Sequence, residues 1–243
     1  VSLYRDEGVV LRTYKLGEAD RIVVLMTRDH GKVRAVAKGI RKTKSKIGAR
    51  LEPMAHVEVL LYRGKDLDVV NQVETIDPAP SLHDDLDRMT QAMAVLEAVD
   101  LAAQDREKAP ELYAMLVGAL RSLAAHPSPM LLAGFYLKML ALEGVGPQVT
   151  ECVGCGAVDG IVSFDVQRGG VQCAGCRTGL AIDGGVLDLL RDVLGGRLSR
   201  ALATGESPST RMVTSLATRL MEQHLERRLR SLSMFGFLGE HRL

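Results

Sequence analysis

The sequence predicts an α+β chain of several parts: a small N-terminal β-barrel over residues 1–79, a helical domain in two pieces over 80–147 and 186–243, and a four-cysteine module inserted at 148–185. Three observations predict it. Five short β-branched runs crowd the first eighty residues, the apolar period changes to three- and four-residue steps from Leu82, and the only four cysteines fall as two Cys-x-x-Cys pairs.

The strands come first. Gly8–Leu11 and Arg21–Leu25 are apolar runs, the second closing near the turn signal Asp29-His30-Gly31. Val33, Ala35 and Ala37 alternate with Arg34, Val36 and Lys38, the period of a half-buried strand. His56–Tyr62 and Leu67–Val73 are two more strands, joined through Arg63–Asp66 as a hairpin. Five such strands suit a small closed barrel, and the OB fold is the best known of that size. Asp77-Pro78-Ala79-Pro80 ends the block, because proline breaks strand pairing.

Helical spacing follows. Leu86, Met89, Met93, Leu96, Val99 and Leu101 form one expected stripe, and Leu112, Leu116, Leu120 and Leu123 another. Asp84, Asp85 and Asp87 read as acids that complement a helix start. Prolines 127 and 129 punctuate, Met130–Glu143 forms a further helix, and Val186–Leu194 a short one. Ser207-Pro208 marks the start of a last helix over Ser209–Leu232, whose stripe Val213, Leu216, Leu220, His224, Leu225, Leu229 and Leu232 shifts by a residue midway.

Cys152 and Cys155 form one pair, Cys173 and Cys176 the other, with seventeen residues between them. Two such turns can face each other across one ion, the pattern of a four-sulfur zinc site. All four positions would be filled by protein, which makes the Zn2+ structural rather than catalytic. Two disulfides, a redox dithiol or four unrelated thiols are the alternatives.

Composition is ordinary for a globular protein, with 47% hydrophobic and 25% charged residues. No run approaches a membrane span, and VSLYRDEGVV carries charges where a signal peptide needs apolar residues, so a reducing cytoplasm is expected. The net charge of +1 hides an uneven distribution. Residues 32–50 hold eight cations and no acid: Lys32, Arg34, Lys38, Arg41, Lys42, Lys44, Lys46 and Arg50. The whole chain carries +1 and this stretch +8, so the remainder carries −7. A long, purely basic run on a barrel points to phosphate backbones; a solvated surface loop is the bland alternative. It is not a P-loop, since Arg41 rather than glycine precedes Lys42-Thr43. Tyr14 and Tyr62 are the barrel rings available for base stacking, although either also suits a half-buried strand position. His30, His56, His83, Ser163 and Ser215 form no visible nucleophile–base set, so no enzyme chemistry is expected.

With these parts placed, the chain resembles the bacterial recombination mediator and DNA repair family RecO. The resemblance is carried by Asp6–Arg12, Leu16–Ile22 with Leu25-Met26-Thr27, Gly31–Gly39, the basic Arg41–Lys46 and the two cysteine pairs, in order along the chain. It implies an N-terminal OB fold, a helical domain and an inserted zinc finger. It also implies binding of single- and double-stranded DNA, ATP-independent annealing of complementary strands, and work with RecR and the single-strand-binding protein SSB to load RecA, in the nucleoid. On that basis the eight cations of residues 32–50 are the DNA contacts and the four cysteines the metal ligands. An adaptor whose basic loop contacts an acidic protein partner is the rival expectation.

Overall fold

The computed structural model describes residues 2–40 and 47–231. It divides into two compact units, residues 1–125 with 229–243, and residues 126–228.

The first unit is built on strands β1 (Leu3–Leu16), β2 (Asp20–Thr27), β3 (Gly31–Ala37), β4 (His56–Tyr62) and β5 (Asp68–Asp77), closed into a barrel in the order β1-β2-β3-β5-β4. The five expected strands are all present, and β1 is far longer than the Gly8–Leu11 run that announces it. β4 and β5 pair antiparallel, as the Arg63–Asp66 hairpin requires. Val10, Val23, Leu25, Val33, Ala35, Val57, Val59, Leu61, Val70 and Val73 fill the barrel. Burying each valine or leucine among them stabilises the fold by about 1.5–3 kcal/mol. The alternation predicted for β3 holds, with Val33, Ala35 and Ala37 buried and Arg34 exposed.

Closure is completed by a segment from outside the strands. β3 pairs with β5 only at Ala35 and Val36. Beside Lys32 the chain after the second helix takes over: Asp105 bridges to Lys32, and the Arg106 N–H donates to the Lys32 carbonyl at 2.8 Å. Gly31 makes this strap possible. Its φ is +67°, and a Cβ there would stand 1.8 Å from the Glu107 carbonyl oxygen. The strap also delivers Arg106 to Asp68, whose side chain is fully buried. Asp68 accepts from the Tyr4 hydroxyl, from the Gly64 N–H at 2.9 Å and from Arg106 Nη2 at 2.8 Å. Burial opposes its ionisation, yet these donors together hold the carboxyl below the usual range.

Helices α1 (Pro80–His83), α2 (Leu86–Ala102) and α3 (Pro110–Ala125) complete this unit, with α2 against β1. Asp85 caps α2, accepting the Arg88 N–H at 2.9 Å. The stripe expected for α2 is corrected. Leu86 is 61% exposed, and the buried surface runs through Thr90, Ala92, Ala94, Val95, Leu96, Ala98 and Val99. The helix is buried on most sides, so small residues rather than one leucine stripe mark its packing. Beyond the second unit the chain returns to the first at Leu229, where Glu97 of α2 accepts the backbone N–H groups of Arg230 and Ser231 at 2.9 and 2.8 Å.

The second unit holds α4 (Leu131–Leu142), the three-stranded sheet of β6 (Ile161–Asp165), β7 (Gly170–Cys173) and β8 (Leu180–Ala181), then α5 (Gly184–Leu194), α6 (Leu198–Leu202) and α7 (Pro208–His224). α4 is buried almost all round and is packed by α5, α6 and α7. α6 was not legible in the sequence. It packs where Gly134 leaves room, a Cβ there standing 2.9 Å from Leu198 Cδ1. Ser207 opens α7 through a capping box with Thr210, as expected. The helix ends at His224 rather than continuing to Leu232, and Glu226 has a φ of +50°. The one-residue shift in the apolar stripe is that helix end. Leu232 lies outside the described residues.

Candidate metal centre and nucleic-acid interface

The four cysteines converge. Their Sγ atoms all lie within 4.8 Å of one another, and Cys155 and Cys173 approach to 3.6 Å. None is in a disulfide, whose S–S length of about 2.05 Å is far shorter. Four sulfurs at about 2.3 Å from a tetrahedral ion would stand about 3.8 Å apart, so the spacing fits a metal of zinc's bond length.

The backbone explains the convergence. The Cys152 N–H donates to the Ala157 carbonyl at 2.8 Å, and the Gly156 N–H returns to the Cys152 carbonyl at 2.8 Å, which closes the first knuckle. The Val153 N–H then ties it to the Val171 carbonyl of β7 at 2.9 Å. Cys173 ends β7, and a single 3-10 turn over Ala174–Cys176 brings the last thiol round. Gly154 packs on the centre itself: a Cβ there would meet Cys176 Sγ at 2.9 Å and Cys152 Sγ at 3.6 Å.

The thiols are electrostatically uneven. The Cys173 backbone N–H, helped by Gly154 and Cys155, brings Cys152 down to about 6. The neighbouring thiols, Cys155 first, push Cys176 up to about 12. One thiolate forms readily, and later ones meet its charge. A cation among them removes that repulsion, so the donor set fits a divalent metal.

Behind the second knuckle lies a residue the sequence did not single out. Gln172 is fully buried and accepts the N–H groups of Thr178 and Gly179, both at 3.0 Å, while its Nε2 donates to Asp165 Oδ2 at 3.2 Å and Thr178 Oγ1 at 2.8 Å. It pins the chain leaving Cys176. Its only sequence signal is its place next to Cys173.

The basic residues are sorted by the structure into distinct environments. Arg34 is exposed on the outer face of β3, and Lys38 is exposed just beyond that strand. Lys32 is covered by neighbouring chain. Its side chain is 13% exposed, and Nζ donates to the Asp100 carbonyl at 2.7 Å and stands 3.6 Å from Asp105 Oδ1. Arg50 remains exposed while one guanidinium nitrogen donates to the Val73 carbonyl at 2.8 Å. Arg41, Lys42, Lys44 and Lys46 lie outside the described residues. Within the run, the Gly39 N–H donates to Asp20 Oδ1 at 2.7 Å.

Arg12 joins this face without having been anticipated. The register sets it beside Val24, and Val24 beside Arg34. Its Nε lies 2.6 Å from Asp100 Oδ2. Burial pushes the Asp100 carboxyl up against the pull of Arg12 and Lys32.

Two of the histidines singled out in the sequence make side-chain contacts. His30 Nδ1 meets buried Asp6 at 2.6 Å, and its ring packs against Tyr4 at a tilt of 44°. His56 Nε2 lies 2.7 Å from the Tyr113 hydroxyl, joining β4 to α3. His83 is exposed at the end of α1.

The described residues thus combine a closed five-stranded OB-like barrel, a helical region and a cluster of four thiols. Two family models match the chain: recombination protein O N terminal over residues 1–79, and recombination protein O C terminal over residues 83–233. The chain belongs to the recombination protein O family, whose role lies in DNA repair and recombination. Among the described residues no helix is long and apolar enough to cross a membrane.

Proposed function

We propose that this protein binds single- and double-stranded DNA through its barrel and anneals complementary strands without ATP or any chemical step. The observation that supports this most is the stretch 32–50, eight cations and no acid, whose Arg34 shares an outer barrel face with Arg12. Two strands repel each other through their phosphates. A basic surface that holds both lowers that repulsion and raises their local concentration, while base pairing supplies the driving force. Contacts to the backbone leave the base edges free to pair. Work with RecR and SSB in loading RecA follows from the family resemblance, as does a place in the cytoplasm at the nucleoid. The metal in this reading is one structural Zn2+ held by Cys152, Cys155, Cys173 and Cys176.

Strand annealing with naked and SSB-coated oligonucleotides tests the reading. The rate should rise with protein, fall again in excess, drop with salt and ignore ATP. If about four phosphates are met, the log–log salt slope on single strands is roughly −3, and reversing Lys42 and Lys44 to glutamate flattens it. Annealing that needs ATP, or no acceleration at low salt, defeats the proposal.

A further inference from the structure

The β-bulge at Leu11 reverses which residues of β1 point out of the barrel. Before it Val10 lies in the core; after it Thr13 pairs with the core residue Val23, so Arg12 and Tyr14 face outward. Without the bulge both would point into the apolar interior. The register then lines Tyr14 up with Ile22 and Val36, both half-buried, and Arg12 with Val24 and Arg34.

Tyr14 is 37% exposed and Leu16 on the same strand 38%. The Arg12 guanidinium lies 4.6 Å from the centre of the Tyr14 ring. That guanidinium is itself held by Asp100, which is only 7% exposed, at the 2.6 Å contact described above. A buried carboxylate therefore fixes an arginine, and the arginine fixes an exposed ring. An aromatic surface held in this way meets a planar partner with little further ordering cost. Arg34 and Lys38 lie on the same strand and its extension, and the acid at the start of β2, Asp20, is engaged by the Gly39 N–H. An apolar strip with a planar ring between cations suits a nucleobase with phosphates on either side.

We propose that Tyr14 is a stacking platform for one unpaired base, with Arg12 positioning the ring and Arg34 and Lys38 meeting the adjoining phosphates. The inference rests on the DNA-binding reading above and narrows it to a single-strand subsite. A paired base, stacked within its duplex, has no free face to lay on the ring, so this subsite distinguishes unpaired from paired strands.

The chain has no tryptophan, so Tyr14→Trp introduces a single indole reporter. Its fluorescence is followed on titration with oligothymidylate and with an abasic oligonucleotide of equal length, and the affinities of Tyr14→Ala and Tyr14→Phe are measured on the same two probes. Oligothymidylate should quench the indole and the abasic strand should not. Tyr14→Ala should weaken oligothymidylate binding roughly five- to 150-fold, with abasic binding and the salt slope unchanged, while Tyr14→Phe keeps its affinity. Binding of both probes with no quenching and no loss in Tyr14→Ala overturns the stacking platform and leaves DNA binding standing. Binding of neither probe by the wild type overturns the DNA reading and this inference with it.

Discussion

Asp68 shows how much one side chain can organise. It is fully buried, and its partners come from β1, the β4–β5 hairpin and the strap after α2. Asp68→Asn leaves Arg106 facing a neutral amide and turns a triple acceptor into a group with unwanted donors. Removing one member of a buried pair costs about 3–5 kcal/mol, and Arg106 is 37% exposed, so a loss near 3 kcal/mol is expected in urea unfolding. The pH dependence follows from the signs. The Asp68 carboxyl is held low, so its contribution is present above the ordinary carboxylate range and is lost as pH falls through the lowered value. Burial also lowers His56, so the unfolded chain takes up that proton first and stability begins to decline below the ordinary imidazole range. Asp100, raised by burial, works in the opposite sense and offsets part of the acid loss. Melting temperature followed from neutral pH downward should therefore fall in two stages, and Asp68→Asn should flatten the lower one.

Among the elements, the two knuckles and the short β6–β7–β8 sheet are where a bound metal would matter most. The sheet is small, β8 being two residues long with both exposed, and the apolar residues under it are few. A metal held by the four thiols would then supply much of the folding energy of residues 148–185. Elemental analysis should find one zinc per chain, and Cys152→Ser or Cys173→Ser should lose it. Chelation should raise amide exchange across β6–β8 while the barrel strands keep their protection. Gly154→Ala is the finer test. Its methyl enters the space beside Cys176 Sγ, and a 10- to 100-fold fall in metal affinity is expected in a chelator competition.

Taken whole, the chain was readable wherever a pattern is local. The alternation of Val33, Ala35 and Ala37 states a strand, two Cys-x-x-Cys pairs state a cluster of four thiols, and Ser207-Pro208 states a helix start. What was hidden depends on partners far along the sequence. Lys32 opens a stretch that holds no acid, and the contact it makes is with a residue no local pattern shows: its acceptor Asp100 lies 68 residues away. Arg12 and Tyr14 reach the outer face only through a bulge, which no periodicity announces. The α2 stripe misled because alanines and a threonine share the packing with Val95, Leu96 and Val99, while Leu86 is exposed. Gln172 looked like any polar strand residue, since its network forms only when the sheet does.

The strap over Gly31 bears on where this protein can be cut. The N-terminal family match ends at residue 79, a boundary of sequence history, yet β3 is finished by residues 105 and 106. A fragment of residues 1–79 would leave Asp68 ionised without Arg106, Lys32 without its acceptors, and half of β3 with open hydrogen-bonding groups. Such an unprotected edge recruits another copy of itself. Size-exclusion chromatography with light scattering should show residues 1–79 as oligomers or aggregate and residues 1–125 as a monodisperse monomer. A soluble, folded monomer from 1–79 alone would mean that the strap is ornament and the barrel closes without it.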